Sequence, residues 1–319
     1  MKRFLQHISI LFTLCVVLSA CETDVEFGRE HMENFPVLNS VVTADEPVRV
    51  YFSRSVFILD DRESTYVVDA TVELNINDTY IESLRLESGE MWDGEVIYYY
   101  QSSTAPKMGD RVTIRARSEE FPEWVSGTTV IPDGPAVSGL EMSVSGVTDR
   151  RLRGKAHIVL SDPEEESNYY WVCGKLYDTQ PDPDNHYIST PYEFLTYSDV
   201  AFSGGANTDI LEELLGEGSG DTIIFDDSLI DGTREYQLKM EWAASEWWAN
   251  ESSDVYLEVM CQEIDEHLYK YYRSMELADS ASLFGEPVQI YTNVVGGLGV
   301  IGSQSKVQTF TKYHTGGAQ

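Results

Sequence analysis

The chain has little cysteine and little positive charge, and both shortages limit the classes of site and partner that the protein can have. Its 319 residues include 4 cysteines, and 22 basic residues stand against 54 acidic ones, for a formal charge of −32. So acidic a surface repels phosphate backbones, which excludes nucleic acid as a partner. For the same reason, docking on anionic lipid is not expected apart from a lipid anchor. No apolar run reaches the roughly 20 residues of a membrane-spanning helix.

The common catalytic templates are also missing. The sequence has no H-E-x-x-H, G-x-S-x-G or P-loop motif, and its histidines are scattered. Acidic clusters at 162–166, at Asp182 with Asp184, and at 226–231 offer oxygen ligands for Ca²⁺, but none has the EF-hand spacing. In so acidic a chain we interpret them as solvated loops. The sequence therefore predicts a protein that is not an enzyme and that holds no metal ion.

The N-terminus has the features of a secretory signal. A basic start at residues 1–3 precedes an apolar run from Ile8 to Leu18 and then the sequence LSAC. This junction resembles the lipobox of bacterial lipoproteins, in which the cysteine sulfur is acylated, for example with palmitate, and becomes the first residue. We therefore predict a signal peptide at 1–20 and a lipid anchor on Cys21, whose two or three acyl chains hold the protein stably on a membrane.

Residues 21–35 are predicted to form a lipidated acidic tether. The segment Glu22–Glu26 directly after the anchor is acidic, and it is similar to the surface-export signal of Bacteroidota lipoproteins. A solvated tether without that signal is a compatible interpretation. The expected location is the outer membrane, and the acidic segment favours exposure at the cell surface.

From residue 36 to 132 the chain runs in short alternating segments. Around Val50 and Ile114, apolar residues at every second position alternate with polar ones, as in half-buried strands. About seven such runs predict an immunoglobulin-like β-sandwich. The segment Pro132–Pro135 then interrupts the pattern with two prolines around a glycine, and we place the domain boundary there.

Residues 136–319 have longer strands and wider loops, which predicts a second, larger β-sandwich. One short amphipathic helix is expected from Asp265 to about Ser280, because apolar residues recur there at helical spacing. The segment Asp178–Asp221 is predicted to be an irregular loop with a short helix at Asp209–Leu215. The predicted fold class is therefore mainly β, with two sandwich domains and a helix in the second.

Two cysteines beyond the signal and the anchor, Cys173 and Cys261, lie in predicted strands. An exported protein meets an oxidising compartment, so a disulfide between them is one alternative. The other is two separate buried thiols: alternation in DVYLEVMCQEI points Cys261 inward, whereas both faces around Cys173 are apolar. The sequence leaves both alternatives open.

Gly297, Gly299 and Gly302 fit the G-x-G-x-x-G pattern of dinucleotide sites. Such a site needs a strand before the glycines, a helix after them and an acidic residue about 20 positions further on. A strand is expected at Val288–Val295, but polar and β-prone residues follow Gly302 and the chain stops before the second strand of such a unit. We predict a hairpin or bulge between two final strands, and no cofactor.

Aromatic residues in loops are the candidates for a partner surface, because binding residues tend to lie on loops held by a rigid scaffold. The segment Asp178–Asp221 is too aromatic for a plain linker, and two tryptophans stand in the polar stretch AASEWWANESS. The candidate residues are Tyr187, Tyr192, Phe194, Tyr197, Phe202, Trp247 and Trp248. Packing of these rings onto their own domain is an equal alternative.

Several stretches resemble a known family. VLNSVVTADEPVRVYFSRS, FDDSLIDGTREYQLKM and YKYYRSMELADSASLFGEPVQIYTNVVGGLGVIGSQS are similar to domain of unknown function 4249, whose members are lipoproteins of Bacteroidota. The resemblance covers nearly the whole mature chain, and the segment Asn293–Gly302 looks like the family's closing hairpin. Many members are encoded beside TonB-dependent outer-membrane receptors, which implies an accessory role in nutrient capture. The family has no established catalytic residues.

The expected function is therefore that of a non-enzymatic outer-membrane lipoprotein that binds a ligand or a TonB-dependent receptor. A surface adhesion or structural module is the alternative, since sandwich domains serve both purposes. A hydrolase with its site in the Asp178–Asp221 loops comes third.

Overall fold

Strands dominate the part of the chain that the computed structural model describes. That part comprises residues 34–56, 65–91, 94, 96–148, 151–164, 166–177, 194–197, 199–201, 206–207, 221–245, 255–280 and 288–314. Within it lie eighteen strands and one α-helix. The predicted mainly β class is thus confirmed.

Eight strands in the first half of the fold enclose one hydrophobic core. They are β1 (Pro36–Thr43), β2 (Arg49–Arg54), β3 (Thr71–Ile76), β4 (Thr79–Ser83), β5 (Arg85–Glu90), β6 (Val96–Gln101), β7 (Arg111–Arg117) and β8 (Val125–Val130). One layer has the order β4-β3-β7-β8, and the other has the order β1-β2-β6-β5. This order matches the CFG sheet with an added C′ strand and the ABED sheet of an immunoglobulin-type sandwich.

The predicted alternation accounts for this first core. In β7, Val112, Ile114 and Ala116 are buried, whereas the residues between them are partly or fully exposed. They meet Leu38 and Phe52 of the opposite layer in the same cluster. Period-two burial therefore forms the sandwich, because it gives each sheet one apolar face.

Ten further strands and the helix complete the fold. They are β9 (Ala136–Thr148), β10 (Arg151–Ser161), β11 (Tyr169–Tyr177), β12 (Phe194–Tyr197), β13 (Ala206–Asn207), β14 (Asp221–Asp226), β15 (Tyr236–Ser245), β16 (Val255–Ile264), α1 (Glu266–Ser280), β17 (Ile301–Gln304) and β18 (Gln308–His314). A sheet with the order β12-β15-β10-β9 faces β13-β14-β11-β16. Between them lies a second core that includes Ile158, Leu238, Trp242 and Leu257.

The two halves share one long sheet. Its order is β13-β14-β11-β16-β17-β1-β2-β6-β5, with β18 also paired to β16. The joint is β17, which runs parallel to β1 while its Gln304 pairs with Ile264 of β16. Residues Phe35–Gln319 form one compact unit. The predicted division into 36–132 and 136–319 stays a prediction, with the correction that Val294 and Ile301 pack in the first core.

The predicted helix is confirmed as α1, directly after Asp265. The carboxylate of Asp265 caps it by accepting a hydrogen bond from the backbone N–H of Leu268 at 2.9 Å. Leu268 and Tyr272 pack against Ile224 and Ile264 of the long sheet, on the face opposite the two four-stranded sheets. No helix in the described ranges is long and apolar enough to span a bilayer.

The segment 178–221 is less irregular than the sequence predicts. It contributes β12, which pairs with β15, and β13, which pairs with β14. Both strands are short enough that their alternation is lost among the polar residues around them. The helix predicted at Asp209–Leu215 lies outside the described residues.

Candidate functional site

The three glycines of the G-x-G-x-x-G match serve close packing. A Cβ on Gly297 would lie 2.6 Å from a carbonyl oxygen of β1, and one on Gly299 would come closer still. Gly299 also has a φ of +102°, which side chains rarely adopt. A Cβ on Gly302 would lie 2.8 Å from the Cβ of Leu268 in α1. The glycines therefore let this segment lie flat between β1 and the helix.

The hairpin and the preceding strand predicted here are wrong. Residues 288–294 form no strand, and β17 pairs in parallel with β1. The side chain of Asn293 instead exchanges two hydrogen bonds with the backbone of Ile301, each 2.9 Å long. Its amide thus replaces the backbone groups of a strand partner. The prediction that no helix follows the glycines is confirmed, because β17 begins at Ile301.

A hydroxyl and carboxylate network lies beside this segment. The Thr129 hydroxyl donates to Oδ2 of Asp265 at 2.6 Å, and the Ser303 N–H donates to Oδ1 at 3.1 Å. The Ser303 hydroxyl donates to a β8 carbonyl and lies 2.6 Å from the Thr129 hydroxyl. Burial raises the pKa of Asp265. Thr129 and Ser303 are 2% and 0% exposed, so the network joins β8, β17 and α1 and is closed to a substrate.

Of the two cysteine alternatives, the structure has the separate thiols, so the disulfide is excluded. Cys261 pairs with Val172 across β11 and β16, and Cys173 pairs with Met260. Neighbouring positions on a strand point to opposite faces, so the two sulfurs lie on opposite sides of the sheet. Both residues are buried, and burial raises the pKa of the Cys261 thiol. Neither has the environment of a reactive thiolate.

Three carboxylates from two of the acidic clusters come together. Single ligand oxygens of Asp162, Asp227 and Asp231 all lie within 4.8 Å of one another. Asp162 accepts hydrogen bonds from the Tyr170 hydroxyl at 2.5 Å and from a backbone N–H at 3.1 Å. Asp227 accepts one from the N–H of Asn168 at 2.6 Å. The sequence placed these residues in separate loops, and only the fold brings them together.

Burial dominates the electrostatics of this cluster. It raises the pKa of Asp162 and of Asp227, and the neighbouring carboxylates raise both further. Ca²⁺ takes six to eight oxygen ligands, whereas this cluster offers three carboxylates, two of which already accept protein hydrogen bonds. The residues could contribute to a cation site with water completing it. The expectation of no bound metal stays a prediction.

At one end of the second half, three strands begin or end next to the segments that carry four of the predicted partner residues, Tyr187, Tyr192, Trp247 and Trp248. There β11 ends at Tyr177, β15 ends at Ser245 and β16 begins at Val255. The segments 178–193 and 246–254 therefore leave or enter the sheets at this point. We call this place the loop end.

Three tyrosines cross the long sheet at the loop end. Tyr177 pairs with Tyr256, which pairs with Tyr313, so the three share the face that points away from the second core. The rings of Tyr256 and Tyr313 have centroids 5.6 Å apart, and Tyr313 is 64% exposed. The Tyr177 hydroxyl donates to Glu258 at 3.1 Å. We call this set the tyrosine row.

Residues 22–309 match the family model described as Domain of unknown function (DUF4249). The chain belongs to this family. No curated protein matches it. Within this DUF4249 member, the matched range includes the glycine segment and the strands from β1 to β17, and it ends at residue 309 within β18.

Most of the partner surface predicted for this DUF4249 protein is not described. Phe194 and Tyr197 lie in β12 on β15. Outside the described residues lie Cys21, Tyr187, Tyr192, Phe202, Trp247 and Trp248. Sequence reasoning missed the tyrosine row, although Tyr256 alternates visibly with Val255 and Leu257. The register that aligns it with two other strands is not visible in the sequence.

Proposed function

We propose that this protein is a non-enzymatic lipoprotein, anchored in the outer membrane through Cys21 and exposed at the cell surface. In this proposal it is an accessory component of a TonB-dependent uptake system, where it binds a ligand or the receptor itself. The N-terminal signal, the LSAC junction and the acidic segment after it support the anchor. Membership of the DUF4249 family supports the accessory role, through the neighbouring receptor genes that the resemblance implies.

The observation that carries the binding role is the tyrosine row at the loop end. Tyrosine supplies a large, rigid contact area with a polar tip and loses little entropy on binding, which is why it is enriched at protein interfaces. Tyr313 exposes 64% of its surface here. The strands that flank the segments with Tyr187, Tyr192, Trp247 and Trp248 begin or end at the same end of the second half, which supports a shared binding surface there.

The roles of the polar groups favour binding over catalysis. The network of Thr129, Asp265 and Ser303 contains the groups of a nucleophile and its base. Its hydroxyls are buried, however, and its carboxylate caps α1. Asp162 and Asp227 accept hydrogen bonds that hold loops together. Each of these groups has a structural task in the fold, which supports the proposal that the protein is not an enzyme.

The test is affinity purification of the native lipoprotein from detergent-solubilised membranes of its host. We expect a TonB-dependent receptor to co-purify, and Tyr313→Ala to reduce its yield several-fold. Tyr80→Ala is the matched control, because Tyr80 is 54% exposed on β4 in the other half. A preparation without a receptor, or equal losses from both variants, would contradict the proposal. Recovery of adhesion or matrix proteins instead would favour the alternative function, a surface adhesion or structural module. The immunoglobulin-type strand order is compatible with that function as well.

A further inference from the structure

The ends of β10 and β14 bring three carboxylates together at one end of the second half. Asp162 directly follows β10, whereas Asp227 and Asp231 lie in the loop after β14. Single ligand oxygens of the three lie within 4.8 Å of one another, and we call this group the carboxylate cluster. Asp162 and Asp227 are 5% and 8% exposed, whereas Asp231 is exposed. Two of the three carboxylates are therefore largely withdrawn from water.

The negative charge of the carboxylate cluster is not balanced by a basic side chain. Among the residues that the structure describes, no lysine, arginine or histidine forms an ion pair with any of the three carboxylates. Burial raises the pKa of Asp162 and of Asp227, and the neighbouring carboxylates add to this effect. Ionised acids packed together in this way cost free energy unless a cation joins them.

A fourth oxygen, in the side chain of Asn168, is buried without a partner. Asn168 is 6% exposed, and its Oδ1 accepts no hydrogen bond from the described residues. The other end of the amide is fixed, because its Nδ2 donates to Oε1 of Glu263 at 2.8 Å. An oxygen in that place would face a carboxylate, so the two amide atoms cannot be exchanged. A buried acceptor without a donor is costly, and binding of a cation would remove that cost.

The geometry of the long sheet directs this oxygen towards the carboxylate cluster. Asn168 directly precedes β11, which lies between β14 and β16, and its C=O accepts a hydrogen bond from the N–H of Asp227. Two positions later, Tyr170 lies on the same face, and its hydroxyl donates to Asp162. The Nδ2 of Asn168 points to the β16 side, where Glu263 lies. Because the two ends of an amide point to opposite sides, Oδ1 points to the β14 side, where Asp227 lies.

We propose that the carboxylate cluster binds a Ca²⁺ ion together with the side-chain oxygen of Asn168. Carboxylate and amide oxygens are the ligands of this ion, at about 2.3–2.6 Å, so two of its ligands lie at most about 4.6–5.2 Å apart. The cluster satisfies this limit. The hydrogen bonds that Asp162 and Asp227 accept leave lone pairs on their oxygens, and water can complete the coordination beside the exposed Asp231. The ion ties the ends of β10, β11 and β14 together, and this proposal replaces the sequence-based expectation of no bound metal.

The test is calorimetric titration of the purified protein with CaCl₂, after metal ions have been removed with EDTA. We expect one saturable site with a Kd of about 0.1 mM, as in extracellular calcium modules. At about 10 mM CaCl₂, roughly a hundredfold excess over Kd, the melting temperature should rise by about 5–11 °C. The same concentration of MgCl₂ should have a much smaller effect, because Mg²⁺ demands octahedral geometry and gives up water reluctantly.

Three variants locate the site. Asp231→Asn removes an exposed ligand and should weaken Ca²⁺ binding about tenfold or more, because affinity depends on the number of charged ligands. Asn168→Ala should also weaken it, and a melting curve in EDTA shows whether this variant is folded. Glu235→Gln is the matched control, since it removes one charge from an exposed residue four positions after Asp231, and it should bind like the parent protein.

Four results would overturn the proposal. They are no saturable binding of Ca²⁺, an equal thermal shift with MgCl₂, an equal loss of affinity in Asp231→Asn and Glu235→Gln, and full affinity in a folded Asn168→Ala variant. The first three would mean that Ca²⁺ only screens an acidic surface, and the fourth would exclude the amide oxygen as a ligand.

Discussion

Replacing Asp265 tests how the two halves are held together. In Asp265→Ala, the N–H of Leu268 loses its cap, worth about 1 kcal/mol. The Ser303 N–H also loses its acceptor, and a buried donor without a partner costs about 1–3 kcal/mol. The Thr129 hydroxyl keeps the Ser303 hydroxyl as an acceptor. We therefore expect the free energy of unfolding to fall by about 2–4 kcal/mol. Asp265→Asn keeps one acceptor oxygen and removes a buried charge, so its loss should be about 1 kcal/mol.

The assay is urea unfolding followed by circular dichroism, with calorimetry as a second measurement. For a unit of this size, 1 kcal/mol corresponds to about 2–4 °C in melting temperature, so Asp265→Ala should melt about 4–16 °C lower. Glu266→Ala is the control, because this neighbour is exposed and makes only an (i, i+4) ion pair with Lys270 at 2.7 Å, worth about 0.3–0.5 kcal/mol. If Asp265→Ala lost no more stability than Glu266→Ala, the idea that this network joins the halves would be refuted.

Four further predictions concern pH, the carboxylate cluster, the glycines and the anchor. Burial raises the pKa of four carboxyl groups above their ordinary values of 3.8 to 4.5, namely Asp162, Asp227, Glu263 and Asp265. Their stabilising contribution is complete below the ordinary pKa and is lost as pH rises through the raised folded values, so these groups should raise the melting temperature as pH falls towards 4.5. Calorimetry showing the reverse would contradict this. In EDTA, Asp231→Asn should stabilise by about 0.5–1 kcal/mol by removing like-charge repulsion within the cluster, whereas a loss reversed by Ca²⁺ in the parent protein would indicate a cation site. Gly299→Ala should lower the free energy of unfolding by about 2 kcal/mol or more, because Gly299 has a positive φ and lies close to the β1 backbone. Calorimetric titration with NAD should show no heat of binding. A heat of binding that disappears in Gly299→Val would instead indicate a nucleotide site. Cys21→Ala should release the protein from the membrane fraction, and a variant that still sediments and takes up labelled fatty acid would refute the anchor.

The sequence predicts local structure well where one periodicity dominates. The alternation around Ile114 and Val50 identifies strands of the first half, and the stripe after Asp265 identifies α1, because each pattern reports which face is buried. The hairpin at the glycines was wrong for a physical reason. Apolar residues at 288–295 suggested a strand, but the Asn293 side chain satisfies the backbone of Ile301, so a backbone partner is unnecessary. Alternation cannot distinguish these two solutions.

The candidate sites depend on information that local patterns do not contain. The tyrosine row depends on the register between three strands, and the paired residues Tyr177 and Tyr256 are about 80 positions apart in the chain. The carboxylate cluster likewise joins Asp162 to Asp227 across the second half. Burial periodicity fixes which side of a strand a residue faces but leaves its position along the neighbouring strand open. Convergent sites on sheets are therefore harder to read from a sequence than the sheets themselves.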